Sequence, residues 1–384
     1  MNTLVRTATF VFSGLLLFAP DAIGAQNAFP QRFSNTTLLF DSAPAAEALL
    51  PGENPIPQFL SQNTTLLQAA LGQAEDVVPA GLFPYETHAQ LWSDGARKER
   101  FFATPGTEPV TYTAADAWEF PVGSVTVKNF LIPTDARTPD ETLRRVETRI
   151  FVNFAEGWRG YTYAWNNEQT DAELLPPNGD SRSYEVLDAD GNNSTFTWNY
   201  PSRNQCFACH TSAAGTVLGI TTPQLNWDYT FPHNSVTQNH LQAFESVGLF
   251  DGGLPAPADE LPARPNHLDA SVPTAERLRS YIATNCSMCH RPEGGTGVEN
   301  MDLRWETLPH QWNVIDIPLN RSRAGVTTRI VSGDAEASAM VRFMEVGFMP
   351  FIGVSVPDEA GIDLLRQYVE SLGTEGTTSG WFIY

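Results

Sequence analysis

Two short stretches hold the residue types best suited to chemistry. From Asn204 to Gly215 the chain reads NQCFACHTSAAG, and with its cysteines 80 residues further on it reads NCSMCHRPEGG. In each, two cysteines stand three apart and a histidine follows directly. These are the only 4 cysteines in the sequence, and the pattern admits a zinc site, two redox dithiols or two covalently attached haems. Zinc needs its ligands gathered at tetrahedral spacing, whereas these pairs lie in regions of different composition and lack the turns of a zinc knuckle. A dithiol of thioredoxin type belongs to an alternating strand and helix pattern, which is absent. The histidines decide the matter, because with 7 in 384 residues one directly after each pair is not coincidence. Two thiols three apart sit on one helical turn, where they can form thioethers along one porphyrin edge while the adjacent imidazole faces the iron. The spacing therefore assigns Cys206, Cys209 and His210 to one haem c and Cys286, Cys289 and His290 to a second.

The elements around the second motif have a clear pattern. In TAERLRSYIATN, Leu278, Tyr281 and Ile282 recur at helical spacing up to the cysteines. In SVPDEAGIDLLRQYVESLG, Pro357 stands near the start, and Ile362, Leu365, Tyr368, Val369 and Leu372 form another apolar stripe. From Thr274 to Leu372 the chain resembles the single-haem cytochrome c domain: helix, CSMCH, a Gly-rich EGGTG, a Met-Pro pair and a terminal helix. That resemblance implies that Met349, in GFMPFIG, is the second axial ligand, with Met344 in SAMVRFMEV as the alternative. Met301 and Met340 read as core filling.

The first motif lacks such a partner. Apart from the initiator no methionine precedes Met288, so the candidates opposite His210 are His240, His233, His267 and His88, or no protein ligand at all. His240 leads, because TQNHLQAFESVGLF carries Leu241, Phe244, Val247 and Leu249 on one helical face that can turn back over the ring.

The fold class expected is α+β and multidomain. Between Ala96 and Tyr200 lie seven short runs rich in Val, Tyr, Phe, Trp and Thr (ARKERFFA, EPVTYT, GSVTVKNFLI, VETRIFVNF, GWRGYTYAWN, SYEVLD and STFTWNY), which suggest an N-terminal antiparallel β sandwich or barrel-like domain. DADGNN, Asp188 to Asn193, has a passing likeness to a calcium loop but lacks the later glutamate, and reads as a hairpin turn. A helical haem-binding region follows and ends in a cytochrome c domain. The divisions are a signal peptide (1–25), an arm (26–95), a β-rich domain (96–200), a first haem-binding segment (201–265) and the cytochrome c domain (270–384).

More of the chain is similar to a bacterial family of diheme c-type cytochromes, often encoded beside parallel β-helix repeat proteins. The residues that carry this likeness are LFPYETHAQLWSDGARKERFF, WEFPVGSVTVKNF, ETRIFV with GYTYAWNNEQTDAELL, and PSRNQCFACH followed by LGITTPQLN. The family resemblance implies a periplasmic electron-transfer protein and no secure substrate.

Composition agrees with that expectation and excludes others. An early Arg6, an apolar run of about 12 residues and small residues before Ala25 predict a cleavable secretory signal, since a spanning helix needs about 20. The net charge of −21 repels nucleic acid and suits a redox partner with a cationic contact surface. No acid–base constellation stands out, so an electron carrier is expected before a haem enzyme of peroxidase or oxidase type. The tryptophans Trp118, Trp158, Trp165 and Trp198 admit a docking surface but read first as core. Arg97, Lys98 and Arg203 are the cations expected to face the propionates of the first haem.

Overall fold

The computed structural model describes residues 56–71, 82–294 and 300–374. The expected signal peptide and most of the arm lie outside these residues. Period-two alternation organises the middle of the chain, sending successive side chains to opposite faces of a sheet. Strands β1 (Phe83–Pro84), β2 (Arg97–Ala103), β3 (Val125–Pro133), β4 (Leu143–Phe154), β5 (Gly157–Trp165) and β6 (Ala172–Leu174) form one antiparallel sheet in sequence order. This meander corrects the expectation of a sandwich or barrel. The hairpin of β7 (Asp180–Leu187) and β8 (Asn193–Tyr200) is a separate two-stranded unit, and EPVTYT supplies only isolated bridges at Val110 and Thr111. Helices and that hairpin, instead of a second sheet, cover the apolar faces. The DADGNN turn joins β7 to β8, with the Asp188 carboxylate accepting the N–H groups of Asp190 at 2.9 Å and Asn192 at 2.8 Å.

The two faces of the meander differ. On one, Phe101, Val127, Ile150 and Tyr163 pack with Leu66, Ala69 and Ala70 of helix α1 (Thr64–Leu71). The other is apolar only towards its ends. Trp198 and Tyr200 of the hairpin cover Phe130 and Ile132. Phe102 packs with Trp118 and with Leu241 and Phe244, which lie on a later helix. Between these ends the same face carries a polar row, for Arg100, Lys128 and Arg149 are direct register partners across β2, β3 and β4.

After the sheet the chain is mostly helix and loop. Helix α2 (Arg203–Cys209) opens on a capping box: the Ser202 hydroxyl accepts the Gln205 N–H at 3.2 Å and the Gln205 side chain accepts the Ser202 N–H at 2.8 Å. Then come α3 (Thr222–Leu225), the hairpin β9 (Asp228–Phe231) and β10 (Val236–Asn239), and α4 (His240–Ser246). The helix expected from Thr237 starts later, because Thr237 to Asn239 pair with β9 and the Asn239 side chain caps the helix by accepting the Leu241 N–H at 2.9 Å. Helix α5 (Thr274–Asn285), the hairpin β11 (Pro318–Arg323) and β12 (Val326–Thr328), α6 (Ala339–Glu345) and α7 (Glu359–Thr374) complete the order.

Helices α5 and α7 pack as their stripes predict, Leu278, Tyr281 and Ile282 meeting Ile362, Leu365 and Val369 around Trp312. Gly361 makes the close approach: a Cβ there would overlap the buried Tyr281 ring. Alanine normally stabilises a helix interior by about 0.5–1 kcal/mol over glycine. Here Gly361→Ala should instead destabilise by about 1–3 kcal/mol through overpacking, read as a lower urea midpoint. A stabilised variant would disprove this contact.

Candidate functional site

The polar row of the sheet faces the two cysteine motifs. Arg149 and Lys128 line a cavity of about 1270 Å³, partly open to solvent, whose wall also includes Cys206, Cys209 and His210 from α2 and Cys286, Cys289 and His290 from the end of α5. The motifs are thus brought together across the 80 residues that separate them. All four cysteines are free thiols, and the Cys289 thiol approaches Cys209 Sγ at 3.7 Å and the Ala208 carbonyl at 3.5 Å. That thiol contact favours the Cys209 thiolate, helped by Arg149 and Lys128, and raises the pKa of Cys289, which donates. Burial raises Cys206 and pushes Cys286 up to about 12.

Local sequence sets His210. Thr211 caps the turn that follows by accepting the Ala214 N–H at 3.2 Å, and Gly215 adopts φ 78°. This left-handed turn suits glycine, and a side chain there would meet the Ala117 methyl. The turn brings the Thr216 carbonyl back to accept from His210 Nδ1 at 2.7 Å, while the ring stacks on Phe151 at 4.5 Å between centroids. Burial lowers the His210 pKa to about 4. The imidazole is therefore neutral, with Nδ1 protonated and the Nε2 lone pair left as donor, as a metal-ligating histidine requires. His290 is likewise shifted down by burial, its Nδ1 is buried without a hydrogen-bond partner, and its carbonyl accepts the Leu303 N–H at 2.9 Å.

A second cavity, of about 1300 Å³ and also partly open, adjoins His290 on the side of β11 and α6. Cys286, His290, Met344, Met349, Phe343 and Phe348 line it, together with Arg321, Arg323 and Arg329. Met349 and Met344 both border this cavity and the first. Met301 and Met340 pack into the α5–α7 core and also touch the second cavity. Among the described residues no three His, Cys, Asp or Glu side chains are gathered to hold a bare metal ion. Each motif offers two thiols and one imidazole, a donor set matched to a haem, whose iron asks the protein only for axial atoms.

The candidate opposite His210 must be corrected. His240 is fully buried in the aromatic cluster between Tyr229, at 4.7 Å, and Phe244. Its Nε2 accepts the Glu86 N–H at 3.2 Å and its Nδ1 faces the Trp227 carbonyl at 3.3 Å. With both nitrogens occupied, and no place among the residues lining either cavity, it is a core histidine. His88 stacks on Trp227 at 4.8 Å with Nδ1 on the Arg264 carbonyl, His233 sits beside Phe231, and His267 packs edge-on to Tyr281.

Burial lowers the His240 pKa from 6.5 to about 3. The unfolded chain therefore takes up a proton at this residue below pH 6.5 that the folded chain refuses. The stability it confers is complete above pH 6.5 and is lost as pH falls towards 3. Between pH 6.5 and 5 the loss should be about 2 kcal/mol. Urea titrations at the two pH values should show that slope reduced in His240→Gln; an identical slope would exclude His240 as its source.

The cations expected near the first haem are also placed elsewhere. Arg97 pairs with Asp140 on the surface, Arg203 lies over the Tyr161 ring at 4.9 Å, and Lys98 donates to the Leu91 carbonyl at 2.8 Å, where burial lowers it to about 7. Lys128 and Arg149 border the site instead. The signal for them was the alternation of β3 and β4, which puts both on the face opposite the α1 core. Trp118, Trp165 and Trp198 are buried, and Trp158 packs against the cluster that holds Trp118, so these aromatics are structural.

Compared with family models, curated proteins and solved structures, the chain matches none. Its architecture is that of a largely antiparallel β-rich unit combined with a few helices. No helix among the described residues is long and apolar enough to cross a membrane.

Proposed function

We propose that the protein is an exported diheme c-type cytochrome that passes electrons between redox partners. One haem would be held by Cys206, Cys209 and His210, and the other by Cys286, Cys289 and His290 together with Met349, in a cytochrome c domain. The observation that carries this reading is the convergence of both Cys-x-x-Cys-His motifs on one cavity, with Cys209 and Cys289 at 3.7 Å.

When bound, haem supplies one-electron chemistry whose potential depends on its axial atoms and surroundings. The chain's own residues do the rest. The Thr216 carbonyl fixes the tautomer and orientation of His210 and increases its basicity. The thioether of Met349, as a ligand, would favour the reduced state and raise the potential. Phe343 and Phe348 give the second cavity an apolar wall, and Arg321, Arg323 and Arg329 give it a positive border. A net charge of −21 suits periplasmic partners with cationic contact surfaces.

A second reading, a haem enzyme of peroxidase or oxidase type with an open position at the first haem, is favoured by the placement of His240, His88, His233 and His267 away from the cavity. Expression with a c-type maturation system, then mass measurement and visible and paramagnetic resonance spectra, tests both. Two covalent haems, both low-spin, support the carrier. One high-spin signal together with peroxide turnover supports the enzyme. A protein bearing no haem, with a Cys209–Cys289 disulfide in its place, would sink both.

A further inference from the structure

Behind the first motif lies a further cavity, of about 860 Å³, bordered by the segment that follows His210 (Ala214, Val217, Leu218 and Gly219) and by α5. It shares Leu91, Lys128, Leu218 and Met288 with the motif cavity, so the two adjoin. Its chemistry contrasts with the rest of the molecule. In a chain with 44 acidic and 23 basic residues, five cations line this one space: Arg100, Lys128, Arg264, Arg291 and Arg304. Three are neutralised by neighbours, Arg100 by Glu86, Arg291 by Asp116 at 3.1 Å and Arg304 by Asp302 at 2.6 Å.

The other two are not. Arg264 is 8% exposed, forms no ion pair among the described residues, and has its Nε buried without a hydrogen-bond partner. Lys128 forms no ion pair among the described residues; its ammonium stands over the Phe130 ring, at 4.9 Å from the centroid, with Glu147 attracting it from further off. Glu306 also lines the cavity and attracts Arg264, but forms an ion pair with neither cation among the described residues. Burial lowers the pKa of both cations, Arg264 to about 9. A buried guanidinium left unmatched is costly unless an anion completes it, and its fork fits a carboxylate bidentately.

We propose that this cavity is a carboxylate-binding site, with Arg264 as anchor and Lys128 as second cation. The carboxylate belongs either to a propionate of the haem at Cys206 and Cys209 or to a free organic acid that enters beside it. The inference rests on the haem reading for the first source and is independent of it for the second. The test uses the full-length holoprotein and its Arg264→Gln, Arg264→Lys and Lys128→Met variants, after haem content and circular dichroism have been compared with wild type. Each is titrated potentiometrically, with and without malonate at constant ionic strength.

If the carboxylate is a propionate, one of the two midpoint potentials falls in Arg264→Gln, less so in Arg264→Lys, and malonate changes nothing. If it is a free acid, malonate shifts that potential saturably in wild type and the shift is lost in Arg264→Gln. Folded variants with unaltered potentials and no malonate effect would overturn the site. Should Arg264→Gln fail to fold, Lys128→Met carries the same readings. Should the protein carry no haem, the proposed function fails, and calorimetry of malonate binding to wild type and Lys128→Met still decides the cavity.

Discussion

On the proposed diheme reading, replacing Cys206 and Cys209 together by serine should remove one covalently bound haem and leave the other. The expected result is a halved pyridine haemochrome yield and a mass lower by one haem, with the Met-ligated spectrum preserved. Thioether attachment needs both sulfurs on one helical turn, and α2 supplies that turn for this pair alone. Cys286 and Cys289 follow a different helix, α5, whose packing on α7 does not use α2. Loss of both haems in the double variant would show that the motifs are not separate attachment sites. Retention of both would refute the assignment of the first.

The second large effect concerns the sheet beneath the motifs. Glu147 is fully buried; its carboxylate accepts Arg149 Nε at 2.5 Å and Nη2 at 3.0 Å, and Trp198 Nε1 at 2.8 Å. This carboxylate and its hydrogen bonds hold the Arg149 guanidinium charged at the wall of the motif cavity. Glu147→Ala leaves that half-buried cation uncompensated and strips the indole of its acceptor. Breaking such a pair from one side costs about 3–5 kcal/mol. A urea titration should show a loss of that size, and a companion Glu147→Ala with Arg149→Met should recover much of it. A loss below about 1 kcal/mol would mean that water reaches the pair.

The elements of the molecule were largely readable from local pattern. Helix α5 spans the residues its apolar spacing marked, α7 does so within about two residues, and six of the seven aromatic and β-branched runs became strands. EPVTYT did not, because Pro109 and the nearby turns leave it bridging Glu119 and Phe250 at single residues. The assembly of the strands was less legible, since alternation defines two faces but not what covers them. The hairpin of β7 and β8 could equally have begun a second sheet.

For the site, spacing marked both motifs, and nothing local could show that they share a cavity. His240 illustrates the limit. Its helical setting was recognised correctly, yet a buried histidine satisfied by the Glu86 N–H and the Trp227 carbonyl looks, in sequence, like one aimed at a metal. Lys128 is illegible for the opposite reason, as a lone lysine in a strand reads as solvent-facing until the opposing surface is known.

The loop before β2 also ties the two ends of the molecule together. Trp92 Nε1 donates to the Val356 carbonyl at 2.8 Å, the Asp94 carboxylate accepts the N–H groups of Ser355 and Val356, and the Asn285 side chain accepts the Trp92 N–H at 2.7 Å. Partners more than 260 positions apart in the chain close this knot, so it is expected to form after the local elements. On the reading proposed above, that delay is a window for biogenesis. Cys206 and Cys289 are buried in the folded chain, so an attachment machinery reaches them more readily while the C-terminal third is still loose. Variants that tighten the knot early, or slow export past it, would be selected against at the stage of cofactor loading, before stability or potential came into play.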